Sequence, residues 1–241
     1  MKIVKIPYSE GTDLNKGTEK APDEIIKQLN EIWSNENFQD NKYKVIHSNL
    51  NELKDGDIFL GGDHGISYYV FKKFFLNKNA GILAFDAHPD LFQHFDKPMQ
   101  TDWLYFLIKE NIIKPENVIL VGIRNSDMKE ISFLKDYKIR YFSMRSLFNN
   151  LQDSCDSIME LARNFSDLYV SIDIDILDPA FAPGTGYIEP GGLSSRELIY
   201  LIQRIKLLKN IRKYDLVEVN PEKDINLITC KTAAKIIKEL L

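Results

Sequence analysis

Cysteine is scarce in this chain. Cys155 and Cys230 are the two thiols in 241 residues, and they lie far apart in different segments. A disulfide framework is therefore not expected, and two reduced thiols fit a cytoplasmic protein. Long apolar runs are also lacking. None is long enough to span a bilayer, and the opening MKIVKIPYSE has no apolar core of the signal-peptide kind. There is no basic block either. Lys and Arg number 31 against 35 Asp and Glu, which leaves a formal net charge of −4. That balance argues against nucleic acid, other polyanions or a membrane surface as partners. Internal repeats, low-complexity linkers and composition breaks are missing too, so residues 1–241 read as a single domain.

What the chain does have is hydrophobic residues, at 44%, and a regular alternation. Short apolar runs rich in β-branched and aromatic residues predict strands over 2–8, 44–48, 57–62, 81–87, 117–123, 139–143, 167–175 and 214–220. Between them, helices are predicted over 22–34, 66–77, 101–112, 127–136, 145–165, 194–208 and 226–241. Pro22 suits a helix start, where its missing N–H costs nothing. Near-continuous apolarity is how strands buried on both faces read. The fold class expected is α/β: a three-layer α-β-α sandwich around a mostly parallel sheet. In such folds ligands sit beyond the carboxyl ends of the strands.

Three predicted strands end in acid and imidazole. DIFLGGDHG ends in Asp63 and His64, GILAFDAHPD in Asp86, His88 and Asp90, and DLYVSIDIDILDP in Asp173, Asp175 and Asp178. In extended chain, residues two apart share a face, so Asp86, His88 and Asp90 are expected on one side, and Asp173 with Asp175 likewise. Any one cluster alone is an ordinary turn or cap. Three of them at three strand ends, holding His64 and His88 from a total of 4 histidines, point to one rim. Carboxylates gathered there would repel one another unless cations compensate them. Two divalent cations supply that charge, and an oxygen-rich set with some imidazole suits Mn²⁺ ahead of Zn²⁺, Fe²⁺ or Co²⁺. Such a pair activates water at neutral pH.

The motifs resemble those of the ureohydrolase family, which includes arginase, agmatinase and formimidoylglutamase. They read GGDHG at 61–65, DAHPD at 86–90 and SIDIDILDPAFAPGTGYIEPGG at 171–192, flanked by GTEKAP at 17–22 and DLVEVNP at 215–221. The resemblance runs from Gly17 to Pro221 in the family's motif order. It implies an arginase-like fold and two Mn²⁺ per chain. One metal would be held by His64, Asp86, Asp90 and Asp173, and the other by Asp86, His88, Asp173 and Asp175, with Asp86 and Asp173 bridging. Asp175 would also steady the tetrahedral intermediate. Asp178 would organise its loop, and Glu218 would lie under the substrate's guanidinium, as a carboxylate suits a planar cation. A homo-oligomer, trimer or hexamer, is implied as well.

Two departures from the family stand out. Gly65 replaces the serine usual in GGDHS. After DAHPD the chain reads LFQHFDKPMQTDWLYFL over 91–107, shorter than the family loop and without its His-Gly pair. Alignment forward from DAHPD nominates His94 as the proton shuttle, with a surface histidine as the plain alternative. Alignment backward from YFLIKE places Gln100 or Asp102 near that position. In VGIRNSDMKE, Asp127 and Glu130 match acids that meet a substrate's α-amino group, which would favour an amino acid over agmatine. The same acids also suit the first turn of a helix. The expected function is a binuclear manganese amidinohydrolase acting on an arginine- or agmatine-like guanidino compound to release urea and an amine. The alternatives are guanidinobutyrase or formimidoylglutamase activity with the same metal site, and a non-catalytic metal- or amine-binding homologue.

Overall fold

The computed structural model describes residues 1–76 and 78–241. Eight strands form one sheet in the order β2-β1-β3-β8-β7-β4-β5-β6. They are β1 (Lys2–Lys5), β2 (Lys44–His47), β3 (Ile58–Leu60), β4 (Ala80–Phe85), β5 (Val118–Ile123), β6 (Arg140–Ser143), β7 (Asp167–Asp173) and β8 (Ile211–Val217). Every pairing is parallel. The helices are α1 (Ala21–Asn30), α2 (Ile66–Phe75), α3 (Trp103–Lys109), α4 (Met128–Asp136), α5 (Met144–Asn149), α6 (Leu151–Ala162), α7 (Ser195–Ile205) and α8 (Ile228–Leu240).

Strand alternation splits the core into two layers. Leu83, Phe85, Ile119 and Val121 face the layer built with α1, α5, α6, α7 and α8. Ile82, Ala84, Val118 and Leu120 face the layer built with α2, α3 and α4. Burying a side chain such as Phe59 or Phe71 completely contributes about 1.5–3 kcal/mol, and both are buried to within 1%. The sandwich expected from the sequence is therefore the one found.

The differences lie at element ends. The single helix expected over 145–165 is two, because Asn150 leaves helical geometry (φ −160°, ψ 97°) and its side chain accepts from the Asp153 N–H to cap α6. The end expected at residue 77 for α2 lies outside the described residues. β4 stops at Phe85 and β7 at Asp173, with Ile174–Ile176 forming a 3₁₀ turn. Asp90 has φ 53°. Of the acids expected to share a face through strand alternation, Asp173 alone is in a strand, and turns bring the others to it.

Four adjacent strands in mid-sheet, β3, β8, β7 and β4, carry the motifs at their carboxyl ends. Register puts Phe85 and Leu216 on either side of Ile172, and Asp173 beside Val217. Asp86, Asp173 and Glu218 therefore emerge side by side on one rim.

Candidate metal centre

His64 lies at the centre of the cluster. Its Nδ1 is 3.2 Å from Asp86 Oδ2, 3.1 Å from Asp90 Oδ2 and 3.1 Å from Asp173 Oδ2. Close as these oxygens are, His64 Nδ1 is buried without a hydrogen-bond partner. His88 stands beside it, with Nδ1 2.9 Å from Asp175 Oδ2 and 3.6 Å from Asp86 Oδ1. Two triads result, His64–Asp86–Asp173 and Asp86–His88–Asp175, each with ligand-type atoms within 4.8 Å of one another and Asp86 common to both. All six residues expected as ligands are brought together. An imidazole lone pair and several carboxylate oxygens converging on a point suit a cation better than a hydrogen bond.

The electrostatics agree. Burial pushes the Asp90 carboxyl up, the Asp86 charge adds to it, and the group is held at about 7. Burial, then Asp175 and Asp86, drive Asp173 well above the usual carboxylate range. Burial would raise Asp86 too, but the two imidazoles outweigh it and hold the group at about 2. His64 resists protonation through burial, yet Asp173, Asp86 and Asp90 raise it well above its ordinary value. His88 is raised as well, burial being overcome by Asp175 and Asp86. This many mutually perturbed groups in one cleft mark a functional site. Divalent cations fit this donor set by both charge and chemistry.

Neighbouring groups aim the imidazoles. His64 Nε2 is 2.9 Å from Ser171 Oγ, which in turn donates to Asp215 Oδ1 at 2.7 Å. The buried Asp215 carboxylate also accepts from Ser67 Oγ at 2.5 Å and from the Tyr169 hydroxyl. His88 Nε2 is 3.1 Å from Glu189 Oε1, which also accepts from the Asn125 amide at 2.6 Å. Trp103 Nε1 donates to Asp90 Oδ2 at 2.7 Å. Arg124 Nη2 donates to the carbonyls of Asp175 and Glu189 at 2.6 and 2.7 Å, tying the ligand turn to the following loop. Partners of this kind fix ring orientation and ligand basicity. Sequence reading assigned no role to Ser171, Glu189, Arg124 or Asp215. Each lies inside a quoted motif, and the buried acid opening DLVEVNP was the available signal.

Beyond the cluster lies a cavity of about 220 Å³ whose lining includes Asp90, His94, Gln100, Asp127, Glu130, Asp173, Asp175 and Glu218. Glu218 is buried, has φ 65° and accepts from the His64 N–H at 2.7 Å and the Asn15 amide at 2.6 Å. A carboxylate has about four acceptor sites, so the two that remain are free for a cationic ligand. His94 is exposed at the rim, edge-on to Phe92 with 4.2 Å between ring centroids. Asp102 is used up within the loop, accepting from the N–H groups of His94, Phe95 and Met99. Asp127 and Glu130 form the capping box of α4. The two oxygens of Glu130 accept from the Leu91 and Asp127 N–H groups, so the helix-opening alternative describes what these acids do here. Asp178 organises its loop as expected, accepting from the Ala180 and Gly191 N–H groups at 3.0 and 2.8 Å.

Known proteins carry the same arrangement of elements. A family model described as the Arginase family matches residues 35–241. "Arginase 1, mitochondrial" of Oryza sativa subsp. indica is 33% identical over 186 residues, covering 76% of this chain and 54% of that protein. The chain thus spans about half the length of that relative. The crystal structure of formimidoylglutamase from Bacillus subtilis subsp. subtilis str. 168 superposes with a TM-score of 0.89 at 23% identity, over 99% of this chain and 85% of the other. That of arginase from Bacillus subtilis gives 0.86 at 24% identity, over 100% and 98%. The two structures speak for the fold, and the family model covers every acidic motif described above. This chain belongs to the arginase family.

Proposed function

We propose that this protein is a binuclear metal-dependent amidinohydrolase, with Mn²⁺ as its metal, that cleaves the C–N bond of a guanidino or formimino compound. The observation that carries the reading is the unpartnered His64 Nδ1 facing three carboxylate oxygens at 3.1–3.2 Å. His64, Asp86, Asp90 and Asp173 would hold one cation, and Asp86, His88, Asp173 and Asp175 the other. Divalent cations bound there would neutralise the carboxylates and would supply the Lewis acidity that activates water.

The chain's own groups do the rest. Glu218 lies at the cavity wall with acceptor sites to spare, and it orients a planar amidine cation through N–H···O bonds. Burial, reinforced by Asp63, raises its pKa well above the usual range, and a bound cation offsets that. Asp175 Oδ1 accepts the Ala87 N–H at 3.0 Å, which holds the second ligand turn against the first. His94, at the rim, can pass a proton between the cavity and solvent. With the Glu130 oxygens committed to backbone, Asp127 is the acid that retains an oxygen for a substrate ammonium.

The experiment is direct. Release of urea, or of formamide, is assayed over arginine, agmatine, guanidinobutyrate and N-formimino-glutamate, with and without Mn²⁺. Turnover of at least one that depends on added metal is expected. No turnover of any, with two metals bound by elemental analysis, would move the reading to a non-catalytic metal-binding homologue.

A further inference from the structure

The segment 9–18 bridges the two strand ends that carry His64 and Glu218. On one side it is anchored to the turn after β3. There the Glu10 and Gly11 N–H groups donate to Asp63 Oδ2 at 2.8 and 3.1 Å, and the Tyr8 carbonyl accepts from the Asp63 N–H at 3.0 Å. On the other side the Lys16 carbonyl accepts from the Asn220 amide at 2.8 Å, two residues beyond Glu218. Gly17 permits that crossing, since it has φ 102° and a Cβ on it would lie 2.5 Å from Asn220 Oδ1.

The segment closes on Asn15, which is fully buried. The Asn15 N–H donates to the Thr12 carbonyl, and the Asn15 carbonyl accepts from Ser9 Oγ and Thr18 Oγ1. Its side-chain oxygen accepts from Thr12 Oγ1 at 2.9 Å, and its amide nitrogen donates to Glu218 Oε2 at 2.6 Å. A carboxylate only accepts, so the nitrogen is the end that must face it. Glu218 lines the cavity and Asn15 does not, so the amide reaches the carboxylate from behind. Both donors to Glu218, the Asn15 amide and the His64 backbone N–H, are neutral. A neutral donor orients a carboxylate without cancelling its charge, whereas a Lys or Arg in that place would compete with a cationic ligand. Glu218 also has φ 65°, a backbone conformation that persists where the surroundings hold it.

We propose that Asn15 is a positioning residue for Glu218: its amide, backed by Thr12, aims the remaining lone pairs of the carboxylate into the cavity and leaves the charge there uncancelled for an amidinium cation. The inference rests on the amidinohydrolase reading and adds the segment 9–18 to its machinery.

Methylguanidine, the cation with almost nothing attached, is the probe. Asn15→Leu keeps the branched shape and removes the donor. On Mn²⁺-loaded protein, calorimetric Kd for methylguanidine should rise about 10-fold or more, the size of one hydrogen bond to a charged group. The kcat/KM for whichever of the four assayed compounds is turned over should fall to match. Mn²⁺ affinity, by titration of the apoprotein, should hold, because the Asn15 side chain bonds to no proposed metal ligand. The cycle with Glu218→Gln separates positioning from mere folding. An effect exerted through the carboxylate disappears with it, so Asn15→Leu should cost about 2-fold at most in the Glu218→Gln background. Thr12→Val frees the Asn15 amide to turn and should shift both readouts the same way by about 3-fold or more. It supplies the test if Asn15→Leu does not fold. Unchanged binding and kinetics in a folded variant, an equal loss with and without the Glu218 carboxylate, or an equal fall in Mn²⁺ affinity overturns the proposal. Binding and turnover weakened by Glu218→Gln but by neither other variant sink this inference and leave the amidinohydrolase reading standing. Failure to bind or hydrolyse any amidine removes both.

Discussion

His88 holds Asp175 on one ring nitrogen and Glu189 on the other, at 2.9 and 3.1 Å. Turning that ring would take Nδ1 away from the cluster, so Glu189 bears on metal affinity without being a ligand. Glu189→Gln keeps the shape and removes the charge, and Mn²⁺ affinity should fall by about 10- to 100-fold. Metal titration of the apoprotein measures this, and an unchanged affinity would detach Glu189 from the site. Glu218 makes a second case at this scale. If an amidinium cation binds against it, Glu218→Gln should cost on the order of 2–4 kcal/mol, roughly 30- to 1000-fold in kcat/KM. Unaltered steady-state kinetics would place the substrate elsewhere in the cavity.

At the scale of elements, the loop between β4 and α3 depends on what lies beneath it. Gly65→Ser restores the family hydroxyl but brings a Cβ to 3.3 Å from the Met99 backbone, which cannot retreat as a flexible side-chain tip could. A loss of about 1–3 kcal/mol is expected from overpacking, read by urea denaturation. No loss would mean that the loop does not bear on Gly65. Helix α4 gives a second element-level prediction. Asp127 is its N-cap, accepting from the Lys129 N–H at 2.7 Å, so Asp127→Ala should lower stability by ~1 kcal/mol. If Asp127 also receives a substrate ammonium, KM for arginine should rise while KM for guanidinobutyrate, which lacks that group, holds. Parallel increases in both would reduce Asp127 to a cap alone.

For the whole molecule, stability is tied to the charge at the sheet's carboxyl edge. Stripped of metal, the protein keeps Asp90 raised to about 7 and both imidazoles raised above their ordinary values. A carboxyl raised in the folded state stabilises only while protonated, and Asp90 loses that contribution as pH climbs from the unfolded value near 4 to about 7. A raised histidine has its full contribution below the unfolded value near 6.5 and loses it progressively above. Asp86, held at about 2, gives a contribution that is constant above pH 5. All changes near neutrality therefore point one way, and the chelated protein should be less stable at pH 8 than at pH 6. Cations replace the lost protons, so the gain in Tm on adding Mn²⁺ should grow from pH 6 to pH 8. A gain that shrinks over that range, by thermal melts with and without chelator, would contradict this charge balance.

The sequence by itself determined the eight strands, the helical stretches between them except for the break at Asn150, and the six acid and imidazole residues at three strand ends. These follow from local facts: apolar runs, β-branched composition, and motifs adjacent to strand termini. Tertiary structure decided how those residues meet. Extended-chain alternation would place Asp173 and Asp175 on one face, but a 3₁₀ turn does the work, and Asp90 and Glu218 reach the site through positive φ. The relay from His64 through Ser171 to Asp215 joins residues 107 and 44 positions apart, a distance over which no local pattern carries information. Asp127 and Glu130 could be read either as substrate ligands or as a capping box, and the Leu91 N–H packed against Glu130 shows that both oxygens of that acid are taken by backbone. Alignment placed Gln100 or Asp102 near the family's histidine, but no sequence feature showed that the Gln100 side chain is buried. It is buried at the cavity because Gly65 admits the Met99 backbone and Gly11 admits the Gln100 amide, and such approaches exist only after the sheet has brought the loops together.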